Sequence, residues 1–300
     1  MLKEIAIVTI TVANLSQVED AWREHFDYQV TERGAVSAEL AEHWAASGMQ
    51  GREYVVMQPS NAAPAVVRFV ASAAAAAYQP MTSHGWNATE LLVANPDPIA
   101  AGMADSAFSV IGAPRALWDA PDAPRVMQAI GPGRELLYLT SNPGAAAALG
   151  LDASMPAVER PFIMVAGGGS MQAFQDFYGA QLGLAIDPPI PFPISTISRA
   201  NDLDLQTTYP LALVNLAPGY FIELDELPAV IPPRDVTPGE LPVGIAMVSF
   251  TVDRMPGGEL DWVTRPHIIE RSPYAGARVG ILRGPAGELL ELIQRPETPQ

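Results

Sequence analysis

Gly131-Pro132-Gly133-Arg134-Glu135-Leu136-Leu137-Tyr138-Leu139-Thr140 returns later in the chain as Gly284-Pro285-Ala286-Gly287-Glu288-Leu289-Leu290-Glu291-Leu292-Ile293, an offset of 153 residues (131 to 284). Trp22 to Tyr28 (WREHFDY) lies over Tyr178 to Leu184 (YGAQLGL) at the similar offset of 156 (22 to 178). Two echoes at nearly one spacing, about half of a 300-residue chain, indicate duplication. The period is too long for a solenoid and implies two homologous halves.

The join falls in Ser141 to Glu159, which holds Asn142-Pro143-Gly144, four consecutive alanines and Pro156 and reads as a linker. The halves are then 1–140 and 160–300, each divided into two modules: 1–79 and 80–140, then 160–230 and 240–297. Within a module a strand is followed by a helix and then by further strands. Ile5 to Val12 alternates as a strand, Ser16 to His25 has helical spacing behind a Ser16 cap, and Tyr54 to Met57 and Ala65 to Val70 are strand-like. The third module opens with Phe162 to Ala166, continues as a helix over Ser170 to Leu182, and has a strand assigned to Ile194 to Ser198. So many short strands with so few helices predict an α+β fold of four βαβββ-type modules in two tandem halves. A doubly wound sheet would need a crossover helix after nearly every strand. Curved mixed sheets are expected.

Composition narrows the partners. With 33 acidic and 17 basic residues the formal charge is −16, so nucleic acid and anionic membranes are repelled. No apolar run is long enough to cross a bilayer, and the opening segment reads as a strand rather than a signal peptide. The absence of cysteine removes disulfides and thiolate metal sites and suits a cytoplasmic location.

Taken together, Ala173 to Leu184 (AFQDFYGAQLGL), Gly284 to Gln294 (GPAGELLELIQ), Gly85 to Pro98 (GWNATELLVANPDP) and Gly131 to Thr140 resemble the vicinal oxygen chelate superfamily. That group contains glyoxalase I, bleomycin-resistance proteins and extradiol dioxygenases. The resemblance implies βαβββ modules that pair into cupped sheets, giving curved mixed β-sheets enclosing a cavity. In metal-using members a histidine on a module's first strand and a glutamate on its last strand face the cup. Here the counted histidine positions hold Ile7, Ala88, Met247 and, approximately, Ile163, none of which binds a cation. No metal and no other cofactor is expected.

The resemblance places Glu291, Glu223 and Tyr138 at the last-strand position. In an apolar cup a carboxyl is pushed toward neutrality, which makes Glu223 or Glu291 a usable acid or base; the plainer alternative is a solvated glutamate at a wide mouth. Glu90, two residues beyond Ala88, shares its face of the strand and joins the catalytic candidates, unless it marks an exposed edge. Tyr138, Gln128, His84 and Trp86 are ligand-binding candidates, against packing, backbone bonding and surface exposure. His43-Trp44, in a helical insertion over Ser37 to Ala46, is a lid or an amphipathic helix; Arg199 and Asn201, which follow a strand, are candidates to bind a carboxylate or phenolate, against a solvated strand end. Gly167-Gly168-Gly169 reads as a turn with unusual backbone angles, since neither phosphate-loop pattern is present.

The expected function is a metal-independent lyase or isomerase using acid/base chemistry on a small apolar or aromatic molecule. One alternative is a sequestration protein of the bleomycin-resistance type, and another is a metal-dependent dioxygenase or isomerase with relocated ligands. A small organic ligand is the expected partner, and a homodimer is compatible with this reading.

Overall fold

Asn14, rather than Ser16, starts the first helix: its side chain accepts the Gln17 N–H at 3.1 Å, and Asp27 in the left-handed conformation ends α1 (Leu15–Phe26). Val18, Trp22 and Phe26, four residues apart, form its buried stripe. The computed structural model describes residues 2–152 and 154–296. Met1, Ala153 within the expected linker, residue 297 at the end of the fourth expected module, and residues 298–300 lie outside the described residues.

The first module comprises β1 (Leu2–Val12), α1, β2 (Tyr28–Ala35), α2 (Ala38–His43), β3 (Glu53–Pro59) and β4 (Val66–Ala71). The second comprises β5 (Gly85–Val93), α3 (Pro96–Gly102), β6 (Ser109–Ala116), β7 (Arg125–Ile130) and β8 (Leu136–Ser141). The join is partly helical: α4 (Pro143–Ala148) is capped by the Asn142 side chain on the Ala145 N–H. The third module has β9 (Val158–Gly168), α5 (Met171–Phe174) continuing as a π-helix over Gln175–Gln181, β10 (Ala185–Ile186), β11 (Ile190–Pro193), α6 (Ser195–Ala200), β12 (Thr208–Asn215) and β13 (Phe221–Glu226). The last has β14 (Gly244–Val252), β15 (Trp262–Ile269), β16 (Ala277–Arg283) and β17 (Leu289–Gln294).

These strands form two open mixed sheets. One runs β15-β16-β17-β14-β1-β4-β3-β2; the other runs β10-β12-β13-β9-β5-β8-β7-β6, with β11 on β12. Pairing crosses the sequence halves: module 1 joins module 4 through antiparallel β1 and β14, and module 2 joins module 3 through antiparallel β5 and β9. In every module the last strand lies parallel to the first. Thr9 is thereby level with Arg68, Glu90 with Tyr138, Val165 with Glu223, and Ser249 with Glu291.

Alternation sorts the side chains. On β9, Phe162, Met164 and Ala166 enter the large core beneath both sheets, where Trp22, Phe26, Trp86 and Phe250 also lie, while Val165 belongs to the cup-side cluster with Ala88 and Tyr138. The two sequence echoes meet in this core. Trp22 Nε1 donates to Glu135 Oε1 at 2.9 Å, and Tyr178 Oη donates to Glu288 Oε1 at 3.0 Å. Each bond joins the first echo to the second, once per half. Burial pushes both carboxyls up to about 7, opposed by those bonds.

Two local expectations fail. Ile194 to Ser198 is not a strand: Ser195–Ala200 is the helix α6, because Ile194 carbonyl accepts from Ser198 and the segment folds over the cup instead of extending its edge. The Gly167–Gly169 run is not a turn with unusual angles; Gly167 and Gly168 lie within β9, and none of the three has positive φ. Space explains Gly168, where a Cβ would stand 2.8 Å from Phe174 and from Ala286. Among the described residues no helix is long and apolar enough to cross a membrane.

Candidate functional site

The two cups hold different contents. In the cup of modules 1 and 4, Glu291 is fully buried on β17 and accepts from Tyr274 Oη at 2.7 Å, from Ser249 Oγ and, at 2.9 Å, from His43 Nε2. The Arg68 guanidinium, 1% exposed, stands 5.3 Å from the Trp44 ring centre and 5.8 Å from that of Tyr274, with Nη1 3.4 Å from Tyr274 Oη. Burial raises the Glu291 pKa, but His43, Arg68 and Ser249 outweigh it and leave the carboxyl below its usual range. The insertion carrying His43 and Trp44 does not hinge over an open mouth; both side chains are buried inside. Around Glu291 this cup is filled by its own chain, and a cavity of about 240 Å³ remains on the other side of Tyr274, lined also by Glu32, Tyr54 and Ile269.

The cup of modules 2 and 3 retains a cavity of about 260 Å³. Its floor carries Glu90 from β5, Tyr138 from β8, Gln128 from β7 and Glu223 from β13; Ile163, Leu211 and Leu213 make apolar wall. Ile190 and Phe192 of β11 and Ile194 before α6 form a roof, while Trp118 and Arg115 stand at the rim. The roof is tied down where Tyr138 Oη and Thr196 Oγ1 meet at 2.7 Å. Gln128 lies over Gly112, where a Cβ would stand 2.1 Å from its Oε1, so glycine leaves room for the amide.

Register spaces the acids. Glu90 is level with Ile163 and Tyr138, and Glu223 with Val165, which is level with Ala88. Glu90 and Glu223 thus stand two strands and two residues apart, about 10 Å across the strands and about 7 Å along them, or roughly 12 Å from backbone to backbone. Asp225, two residues beyond Glu223 and fully buried, shares its strand face, and neither of its carboxyl oxygens has a hydrogen-bond partner. Burial lifts Glu90 to about 7, with Thr140 opposing, and lifts Asp225 to about 8. Glu223 is raised well above the usual carboxylate range by burial, then by the charges of Asp225 and Glu90. Tyr138 is likewise raised, by burial and then by Glu223 and Asp225.

Four of the sequence-selected residues, Glu90, Glu223, Tyr138 and Gln128, therefore share one cavity. Three do not. Glu291 belongs to the filled cup, while His84 and Trp86 line a separate depression of about 180 Å³ beside Arg234. Trp86 is 1% exposed and donates to the Leu289 carbonyl at 2.8 Å; burial lowers the His84 pKa. Arg234 is bonded to the carbonyls of Trp86, Val243 and Ile245 and is a bracket between the sheets. Arg199 and Asn201 also bind backbone, Arg199 at Ile111 and Asn201 at Met81 and Ile197. Sequence reasoning missed Asp225, although the two-residue alternation that selected Glu90 from Ala88 also selects Asp225 from Glu223. It missed Arg68 too, whose signal is a lone charge in the apolar strand VVRFV.

Solved structures share this architecture. Glyoxalase I from Zea mays aligns over 97% of this chain and 92% of its own, at 12% identity and a TM-score of 0.64. A putative dioxygenase from Bacillus subtilis subsp. subtilis str. 168 aligns over 98% and 86%, at 11% identity and a TM-score of 0.64. The chain has the vicinal oxygen chelate fold. No sequence-family model and no curated protein matches it. In this vicinal oxygen chelate fold the donor set does not suit a divalent ion: Ala88 and Ile163 are hydrocarbons at the counted positions, and a guanidinium faces Glu291 in the other cup. Among the described residues no three His, Cys, Asp or Glu side chains converge to hold a metal.

Proposed function

We propose that this chain is an enzyme that moves protons on a small, largely apolar molecule held in the cup of modules 2 and 3. Its chemistry is of the lyase or isomerase type and needs no metal. The observation that carries this reading is a pair of carboxyls, Glu90 buried and Glu223 half-buried, on the wall of a largely apolar cavity. At pH 7 Glu90, held at about 7, is divided between acid and conjugate base, the condition under which one group both removes and returns a proton effectively. Glu223, raised well above the usual carboxylate range by burial, is assigned the role of acid. Tyr138, fixed by Thr196, orients the ligand between them. Apolar walls keep water from weakening these interactions.

A sequestration protein is the second reading, favoured by the exposed Trp118 and Ile190 at the mouth, 53% and 52% accessible. One experiment separates the two. Protein is incubated in D2O with small aryl ketones, with and without an amino substituent, and exchange at the carbon next to the carbonyl is followed by NMR. Enzyme-dependent exchange that falls about 100-fold or more in Glu223→Gln and Glu90→Gln supports proton transfer. Tight binding with no exchange favours sequestration and rejects the enzymatic reading.

A further inference from the structure

The duplication sets Arg68 over Glu223, an offset of 155 (68 to 223), and Tyr138 over Glu291, an offset of 153 (138 to 291). Register agrees, because all four sit on the last strand of a module level with the first-strand residues already named. The cup of modules 1 and 4 therefore carries a guanidinium, supplied by its own chain, at the place where the cup of modules 2 and 3 carries Glu223. There the buried carboxylate of Glu291 has a buried cation close by. In the open cup Glu90 and Glu223 line the cavity, Asp225 is buried two residues from Glu223, and among the described residues no ion pair reaches any of the three.

We propose that the ligand of the open cup bears one protonated amine on a small apolar body, and that this ammonium supplies the positive charge that Arg68 supplies in the other cup. This rests on the cavity reading above and names the class of molecule it accepts.

Glu90 is 6% exposed and lines the cavity, and Asp225 beside Glu223 lacks a partner on both oxygens. Among the described residues none of Glu90, Glu223 and Asp225 joins an ion pair; every pair lies elsewhere. The other polar groups packed about them include Tyr138 and Thr140 from β8, Gln128 from β7, Ser195, Thr196 and Arg199 from α6, Tyr209 from β12 and Arg115 from β6. Tyr138 bonds Thr196, Tyr209 bonds Ser198, and Arg199 is spent on the Ile111 carbonyl. Arg115 is exposed at the rim and unpaired among the described residues. An ammonium entering the floor gains charge-assisted bonds to the carboxylates and the ring faces of Tyr138 and Phe192. A carboxylate ligand meets the two acids of the lining, Glu90 and Glu223. Because Glu90 holds its proton near neutrality, an ammonium at its carboxyl displaces that proton as it binds, and affinity rises with pH.

The test uses the whole chain and three probes of one shape: 2-phenylethylammonium, 2-phenylethanol and phenylacetate, titrated calorimetrically at several pH values. The amine is expected to bind about 10- to 100-fold more tightly than the alcohol at about pH 8. Its affinity falls toward about pH 5 with uptake of about one proton on release, while the alcohol is indifferent to pH. Glu223→Gln and, separately, Glu90→Gln each cost the amine about 10-fold and the alcohol nothing, with thermal melting confirming that both variants fold. If the alcohol or phenylacetate equals or beats the amine, the charge assignment is overturned and the cavity reading stands. If none of the three binds at about 10 mM, both are rejected.

Discussion

Glu90→Gln removes the cavity's β5 acid while keeping its shape, and the consequence for stability follows from the acid's surroundings. Burial carries Glu90 from 4.5 to about 7. Below about pH 4.5 the folded and unfolded chains both hold the proton and nothing is lost. Between 4.5 and 7 the unfolded chain ionises while the folded chain does not, so stability falls as pH rises and the loss is complete above about 7. At about 1.4 kcal/mol per pH unit, Glu90 alone removes roughly 2 kcal/mol between about pH 5 and about pH 8. The variant lacks this slope, whereas the dehydration of its amide adds an offset that does not vary with pH. Glu135, Glu288 and Asp225 contribute slopes of the same sign to both proteins and largely cancel in the difference. Urea unfolding of both proteins across this range reads the effect directly. The stability of Glu90→Gln relative to the parent should grow by roughly 2 kcal/mol on going from the acidic to the alkaline end. Parallel pH profiles would refute the assignment of Glu90 as a buried, proton-holding acid.

Other outcomes follow from the same geometry. Arg68→Met strands Glu291 in the filled cup and should cost about 3–5 kcal/mol in urea unfolding, with Glu291→Gln added to it restoring part of the loss; a cost below about 1 kcal/mol would show that the guanidinium does not hold that cup together. Glu291 lies below its usual range, so its share of stability is present above about pH 4.5 and disappears as pH falls through its lower folded value. Glu291→Gln should therefore flatten the acid limb of the stability profile, an effect opposite in sign to that of Glu90→Gln. Double-mutant cycles on Trp22→Phe with Glu135→Gln, and on Tyr178→Phe with Glu288→Gln, should each give a coupling of roughly 1 kcal/mol or more; a null result in one half alone would end the equivalence of the two bonds.

The fold was legible because its strongest signals are local and repeated. The GPGRELLYLT and GPAGELLELI turns are forced by packing: a Cβ at Gly131 or Gly284 would stand 2.0 Å from the Glu135 or Glu288 carboxylate, so each glycine and its glutamate occur together. What was not legible is which modules pair. A strand's first-strand neighbour across the cup is chosen by burial of the shared core, and β1 finds β14 some 230 residues away, as the Thr11 to Pro242 bond illustrates with a separation of 231. That choice decides the site. Glu291 and Glu223 occupy like positions in like sequences, YFIEL and ELLEL, but one meets Arg68 and His43 and the other meets an empty wall. Short helices were misjudged for a similar reason: Ile194 to Ser198 has strand-like residues, and its helical form comes from docking over the cup, where Thr196 reaches Tyr138.

Side-chain carboxyl carbons followed by NMR across the pH range examine the cavity's acids without needing any ligand. Assigned through the Asn and Gln variants, Glu90 should titrate at about 7 and Asp225 at about 8, while Glu291 remains ionised to below 4.5. If Glu90 and Asp225 both lose their protons near 4, as exposed carboxyls do, the open cup is wet and ordinary, and the account of it given above is wrong.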